Sequence, residues 1–500
     1  MLVVPGVPHV PTPNPPGSTA VQSWYTRVMA RYALPLILAV SLQLGCGSDE
    51  TAHTDYASLT AALEGASLGD TVRVGAARIE GGTVRVPPGV TLVGSGDVSI
   101  IVAPADNVAV AALTSPGGPE TRVSSVRVES SGRAGVVAVG GGSARIDSVT
   151  VQATKGIGIG AEDVATLTMI DVTLTGPVTP ENADSQPLDP APNDTATHGI
   201  VLVNVTRADL TRVSSVGFAE FGALLVNSGV TWTEGGADRN LGTGIMSYGG
   251  SATLDGLTVC GTLQGLRLIP AYGIVLTNDT LTDTRGLTIC DGQGYGALHA
   301  GARALHTDLV ATGNTNAAVW LQDTDMFEIN GSGSRLAGNA FAGVVVVDST
   351  NVTVADATID GTRSVTRVVG EVGTVQVGDG VQLVRSTASV FLRNLTLVGN
   401  ERTGILADLN GGSSSDITFD AVSASATGTA YGVLAQGGTI TAGWDTGVTR
   451  MGAAVTNDET FFASGSMLDI VGVVAPTDIP MAAGIADSGL PILGVVAPTD

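Results

Sequence analysis

Lysine is all but missing: Lys155 is the single one among 23 basic residues, set against 46 acidic ones, for a net charge of −23. With no basic stripe to neutralise phosphates, nucleic acid is not an expected partner. Aromatic residues make up 4% and charged residues 14% of the chain. Long helices suit that mixture poorly. Glycine is abundant, 68 of 500 residues, but lacks the every-third spacing that a collagen triple helix requires. The apolar run nearest the N-terminus covers only residues 33–44, too short for a comfortable membrane span.

What remains is rich in Val, Thr, Ala and Gly, a composition for short half-buried strands joined by tight turns. The acidic excess reads first as a solvated, soluble surface. Its sharper reading is a surface that collects calcium through turn aspartates.

Residues 1–23 are proline-rich and carry no period. A basic start at Met29-Ala30-Arg31, the apolar run 33–44 and the small residues before Cys46 make a secretory signal. The stretch Leu42-Gln43-Leu44-Gly45-Cys46 resembles the bacterial lipoprotein signal, which implies lipidation of Cys46. Gln43 departs from that pattern, where an aliphatic residue is usual. Translation is expected to begin near Met29. The expected product is exported and anchored through lipid at an outer membrane or cell surface, and otherwise secreted.

Residues 47–55 read as a tether. Residues 56–68 read as a short amphipathic helix, with Tyr56, Leu59, Leu63 and Ala66 on one side and Gly69-Asp70 as its stop. From Thr71 the period changes to two, as in Thr71-Val72-Arg73-Val74 and Thr83-Val84-Arg85-Val86. The stretch Gly69-Asp70-Thr71-Val72, followed by Val86-Pro87-Pro88-Gly89-Val90-Thr91-Leu92-Val93-Gly94, resembles the opening of pectin-lyase-like proteins. That resemblance implies an all-β, right-handed parallel β-helix whose first coil is capped by a short helix. It implies no particular activity.

A glycine-led apolar strand recurs at Gly135, Gly158, Gly199, Gly222, Gly244, Gly273, Gly296, Gly343, Gly380, Gly404 and Gly432, with Ala318 standing in once. Most intervals lie near 22–25 residues, one coil of a solenoid. A leucine-rich repeat has a similar period, but its fixed leucines and asparagine turn are absent. A second strand follows in each coil, as in Asp255-Gly256-Leu257-Thr258-Val259 and Arg285-Gly286-Leu287-Thr288-Ile289. About twelve or more coils at the interstrand spacing make a rod of about 55 Å. The organisation expected is a leader over 1–46, a tether over 47–55, the β-helix over 56–440, and a C-terminal coil, cap and repeated tail over 441–500. Two coils carry insertions. The one over 176–198 reads as a proline-rich surface loop, and the one over 363–379 as an extra hairpin with valines throughout.

Cys260 and Cys290 end equivalent strands one coil apart, so they stack. In an exported protein this favours a disulfide. A reduced stack is the alternative, because in-register neighbours sit nearer 4.8 Å than the roughly 3.8 Å that Cβ atoms of a disulfide prefer. Aromatics precede the glycine at Phe221, Tyr272, Tyr295 and Tyr431, with Phe341 two before Gly343. Tyr272 and Tyr295 are candidates for a platform under sugar rings; a structural ladder explains the same pattern. The turn acids Asp147, Asp171, Asp209, Asp255, Asp308 and Asp420, with Asn394, fit bonding to turn backbone, and calcium is their other reading.

The polygalacturonase branch of the resembled fold implies Asp-Asp, Gly-His-Gly and Arg-Ile-Lys, and all three are absent. Its pectate-lyase branch implies clustered aspartates holding calcium and an arginine base. The candidate set for such chemistry is His299 and Arg303, with His306, on one coil and Asp323 and Asp325 on the next. The function expected is a cell-surface structural or polysaccharide-binding protein. The alternative is a polysaccharide lyase or other carbohydrate-active enzyme acting on uronate polymers.

Overall fold

A chain whose apolar residues recur every second position, broken by turns at a fixed interval, buries them by stacking coil on coil. The computed structural model describes residues 51–103, 105–178, 197–262, 272–277, 279, 281–369, 373–384, 388–408, 415–420, 423–426, 431–436, 440–442 and 461–464. These form a right-handed parallel β-helix, an all-β solenoid of about 14 turns. The leader with Cys46, most of the 176–198 insertion and the repeated tail lie outside the described residues.

The turn 272–290 shows the plan. Strand Tyr272–Thr277 belongs to a sixteen-stranded wall, and strands Leu281–Arg285 and Thr288–Cys290 to a second sheet that bends between them. Register with the next turn is direct: Ile274 pairs with Ala297, Thr284 with His306, and Cys290 with Thr312. Among the described strands only Val365–Val369 pairs antiparallel, with 373–377. It is the hairpin expected of that insertion.

The recurring glycine is a steric requirement. A Cβ on Gly273 would lie 2.5 Å from the carbonyl oxygen of Gly296, one on Gly296 the same distance from that of Ala318, and one on Gly343 2.6 Å from that of Gly380. At these glycines the coil closes against the backbone of the next, where a Cβ would collide with the neighbouring carbonyl. The bends use a second device. Asp171, Asp308, Asp356 and Asn394 hold φ between 46° and 55° at one corner, and Asp163, Asn204, Asp323 and Asp348 hold φ between 47° and 53° at another. Asp and Asn tolerate this left-handed conformation because their short polar side chains bond nearby backbone.

The bore is filled by ladders such as Ile245, Ile274, Ala297, Val319, Val344 and Val381, all at most 1% exposed. Burying two or three such side chains per strand, at about 1.5–3 kcal/mol each, holds successive coils together. At the corner before the glycine-led strand, Asn314, Asn339 and Asn400 are buried and satisfy backbone there. Asn314 donates to Asn339 Oδ1 at 2.8 Å, and Asn339 donates to the Ala311 carbonyl at 2.8 Å.

Two boundaries differ from expectation. The helix spans Tyr56–Gly65, capped by Asp55, whose side chain accepts from the Ser58 amide. It stops three residues before Leu68, which is 66% exposed. Residues 52 and 53, read as tether, pair in parallel with Arg73 and Val74. Leu59 and Leu63 still close the end of the bore as expected.

Candidate functional site

The glycine-led wall carries apolar residues on both faces. In strand Val319–Gln322, Val319 and Leu321 point into the bore, so Trp320 and Gln322 point away from it. In strand Gly373–Val384, Val381 and Leu383 point inward and Gln382 outward. Trp320, Val345 and Gln382 are successive rungs of one outward ladder, so the indole and the amide stand two rungs, about 10 Å, apart.

Three rings meet there. Tyr295 packs edge-on against Trp320 with centroids 5.5 Å apart, and Phe341 stacks on Trp320 at 6.3 Å with planes 15° apart. Trp320 and Phe341 are buried, while Tyr295 is half-buried.

Beside the rings is a buried acid. Asp379 is fully enclosed and accepts from Arg402 Nε at 2.8 Å, Thr403 Oγ1 at 2.9 Å and Gln382 Nε2 at 2.6 Å, as well as from Arg402 Nη2. Its carboxylate is fully satisfied and neutralises the guanidinium. On this wall and at Arg402, buried polar atoms without a hydrogen-bond partner are Trp320 Nε1, Gln322 Oε1, Gln382 Oε1 and Arg402 Nη1, and register sets Gln322 two rungs and five residues from Asp379. The amide orientations follow from their donors, since Gln382 Nε2 faces Asp379 and Gln322 Nε2 donates to Asp323 at 3.3 Å. A buried polar atom left unpaired costs about 1–3 kcal/mol.

The residues singled out from sequence fall in different places. His299 and His306 lie inside the bore, both at 0% exposure. His306 Nδ1 is 2.6 Å from Thr284 Oγ1, and the two Nε2 atoms are 3.2 Å apart. Burial holds both imidazoles neutral: it presses the pKa of His306 down to about 4 and that of His299 well below the usual histidine value. Arg303 and Asp325 are on the outside, paired at 3.1 Å and largely exposed. Asp323 holds a corner at φ 51°. The structure therefore brings Arg303 to Asp325 but separates both from His299 by the wall of the solenoid.

Tyr272 and Tyr295 are in register on adjacent coils. A disulfide joins Cys260 and Cys290, whose Cα atoms approach to 4.4 Å. Four of the turn acids are engaged by side chains or backbone nearby. Asp147 accepts from Arg122, Asp171 from Arg212, Asp209 from Arg207, and Asp308 from the Gly333 amide. Among the described residues no group of three or more His, Cys, Asp or Glu is placed to hold a metal ion.

Sequence reasoning passed over Gln322, Asp379, Gln382 and Arg402. Their signal was faint: a glutamine at an alternate position of an otherwise apolar strand.

No family model matches the chain, and no curated protein matches it. Among solved structures the chain is similar to a mutant of the periplasmic alginate epimerase AlgG, at 9% identity over 67% of this chain and 77% of that one, with a TM-score of 0.37. It is also similar to the catalytic unit of the thermostable GH87 alpha-1,3-glucanase from Streptomyces thermodiastaticus strain HF3-3, at 16% identity, 82% and 71% coverage and a TM-score of 0.37. A third likeness is to the A-module of the Azotobacter vinelandii mannuronan C-5 epimerase AlgE4, at 13% identity, 78% and 94% coverage and a TM-score of 0.26. Similarity at this level carries no argument about activity.

Proposed function

We propose that the chain is an exported, lipid-anchored β-helix protein of the cell surface that binds polysaccharide through the outward patch around Trp320. The observation that carries this reading is the cluster of Tyr295, Trp320 and Phe341, in which the buried Trp320 Nε1 has no hydrogen-bond partner. Sugar rings offer apolar C–H faces to aromatic side chains and hydroxyls that both donate and accept, and ligand sites in general combine apolar walls with a few placed polar groups. Trp320, Phe341 and Gln382 make the floor. Tyr295, Gln322 and Arg402 are half-buried and make the edge, which must swing aside for a ligand to enter. The leader ending at Cys46 supports export and anchoring.

The test is a glycan array followed by calorimetry on the purified protein. Binding should weaken at least ten-fold in Tyr295→Ala and Gln322→Ala, with the far-ultraviolet circular dichroism unchanged. A folded protein that binds no glycan, or one whose binding ignores both substitutions, would defeat the reading. The uronate lyase is tested on the same preparation, with uronate polymers and calcium, by absorbance of unsaturated product. Turnover lost in Asp323→Ala would replace the binding reading with that one. Mass spectrometry of the N-terminus from the native host tests the anchor: an unmodified start beyond Cys46 overturns it.

A further inference from the structure

Six asparagines stand two residues before a serine or threonine, the triplet that N-linked glycosylation requires: Asn193, Asn204, Asn278, Asn330, Asn351 and Asn394. Four of them lie among the described residues, and three of those four are held within the solenoid. Asn204, Asn351 and Asn394 occupy left-handed corners, with φ of 53°, 53° and 46°. Their side chains donate to Asp163 Oδ1, the Asp325 carbonyl and Asp356 Oδ1. The hydroxyl residues of their triplets are fixed as well. Thr353 and Thr396 are rungs paired with the coils on both sides, and the Thr206 amide donates to the Val164 carbonyl.

Asn330 differs. It ends strand Phe327–Asn330, and the next strand begins only at Ser334. In the following coil Asp356 alone makes the same corner, between strands Thr350–Ala355 and Ala357–Asp360. Here the corner takes Gly331, Ser332 and Gly333. Gly331 has φ 92°, and the Ser334 amide closes a tight turn on its carbonyl at 2.9 Å. Ser332 and Gly333 are exposed. Phe327 and Ile329 point into the bore, so Glu328 and Asn330 point out, and Glu328 Oε1 accepts from Asn330 Nδ2 at 2.7 Å.

We propose that Asn330 is an acceptor for N-linked glycosylation during export, from an oligosaccharide carried on a lipid pyrophosphate. The proposal rests on the export reading and not on polysaccharide binding. In the transfer the Asn330 side-chain nitrogen bonds to the anomeric carbon of the sugar. The bond from that carbon to the pyrophosphate oxygen breaks, the lipid pyrophosphate leaves with the electron pair, and one proton passes from the nitrogen to solvent. A transferase must close around the asparagine and the hydroxyl residue together. A protruding turn outside the strand ladder can be drawn into such an enzyme at little cost, whereas drawing out Asn351 or Asn394 would break pairing with two coils. An amide nitrogen is a weak nucleophile because its lone pair is shared with the carbonyl. The Glu328 carboxylate, by accepting from that N–H, returns electron density to the nitrogen.

The experiment is mass spectrometry of the full mature protein from its native host after digestion with trypsin. Asn330 falls in the peptide bounded by Arg303 and Arg335. The expected result is a sugar on that peptide, placed on Asn330 by fragmentation and resistant to mild alkali. It should be lost in Asn330→Gln and in Ser332→Ala, which leaves the asparagine in place, and kept in Asn351→Gln. Far-ultraviolet circular dichroism should be the same in all three. A folded, processed protein with no sugar on Asn330 would overturn the proposal and leave export standing. A sugar that mild alkali releases from Ser332, or one that survives Ser332→Ala, would overturn it too, as would sugar on Asn351 or Asn394 in its place. A protein that keeps its leader would overturn export and this assignment together.

Discussion

His299 and His306 face each other inside the solenoid, with Nε2 atoms 3.2 Å apart and both rings edged against Phe327. One Nε2–H donates to the other's lone pair, which requires the accepting ring to be neutral. Protonating either would set a charge in an apolar bore. The folded state holds His306 at a pKa of about 4, against the usual 6.5, so the unfolded chain binds more protons between those values. Stability is therefore complete above pH 6.5 and is lost as pH falls toward 4, by roughly 3 kcal/mol from His306, and His299 acts in the same direction. The rungs beside His299 are Leu276 and Leu321, and those beside His306 are Thr284 and Ile329. The pair His299→Leu with His306→Ile should therefore fit the bore and flatten the acid slope. Urea denaturation between pH 4 and 8 checks this, and a double variant as acid-labile as the parent would refute it.

The disulfide between Cys260 and Cys290 ties together two in-register strand ends thirty residues apart. A loop of that length corresponds to about 3–4 kcal/mol of restricted unfolded-state freedom. Peptide mapping of the unreduced protein should recover the two cysteine peptides joined. Cys290→Ser should lower the unfolding free energy by a comparable amount. Alkylation of both residues without reductant would rule out the bond.

Much of this fold was legible in the sequence because its signals are periodic and local. The glycine interval marked the coil, and the later finding that each Cβ would strike the next coil's carbonyl explains why the interval could be trusted. The cap helix and the valine hairpin were legible for the same reason. The site was not. Alternation tells inside from outside only when one face is polar, and the glycine-led wall is apolar on both faces, as in Val344-Val345-Val346-Val347, all at most 1% exposed. Nothing in the string Ala297-Leu298-His299 says that the histidine points into the bore and the leucine away. The left-handed corners add to this, since each resets the alternation for the strand that follows. Spacing can therefore bring His299 and Asp323 onto neighbouring coils without bringing them onto one surface.

Gly296 and Ala318 occupy the same place on adjacent coils, and the contrast between them gives a direct test of the steric account. A Cβ on Gly296 would stand 2.5 Å from the Ala318 carbonyl. Gly296→Ala should destabilise by about 1–3 kcal/mol, the range for overpacking a closed core. Ala318→Gly should cost about 1 kcal/mol or less, the entropy of a strand glycine. Chemical denaturation of the two variants compares them, and equal losses would mean that the glycine is kept for some other reason than coil-to-coil contact.

Glu162 ends the wall strand Gly156–Glu162, in register between Val139 and Val203, with Asp163 next in the chain. Burial, and then the neighbouring carboxylate, push its pKa up to about 8. The folded state thus keeps a proton that the unfolded chain gives up near pH 4.5. This group's contribution is favourable at low pH and is lost as pH rises from about 4.5 through 8, opposite in sense to the two histidines. Glu162→Gln keeps the shape and removes the titration. The substitution should leave the melting temperature unchanged at pH 5. At pH 8.5 it should raise it by up to about 2 °C, since the group is partly exposed and the domain is large. Scanning calorimetry at the two pH values reads the difference directly. A rise of the same size at pH 5 would mean that Glu162 is unfavourable for its packing and not for its charge.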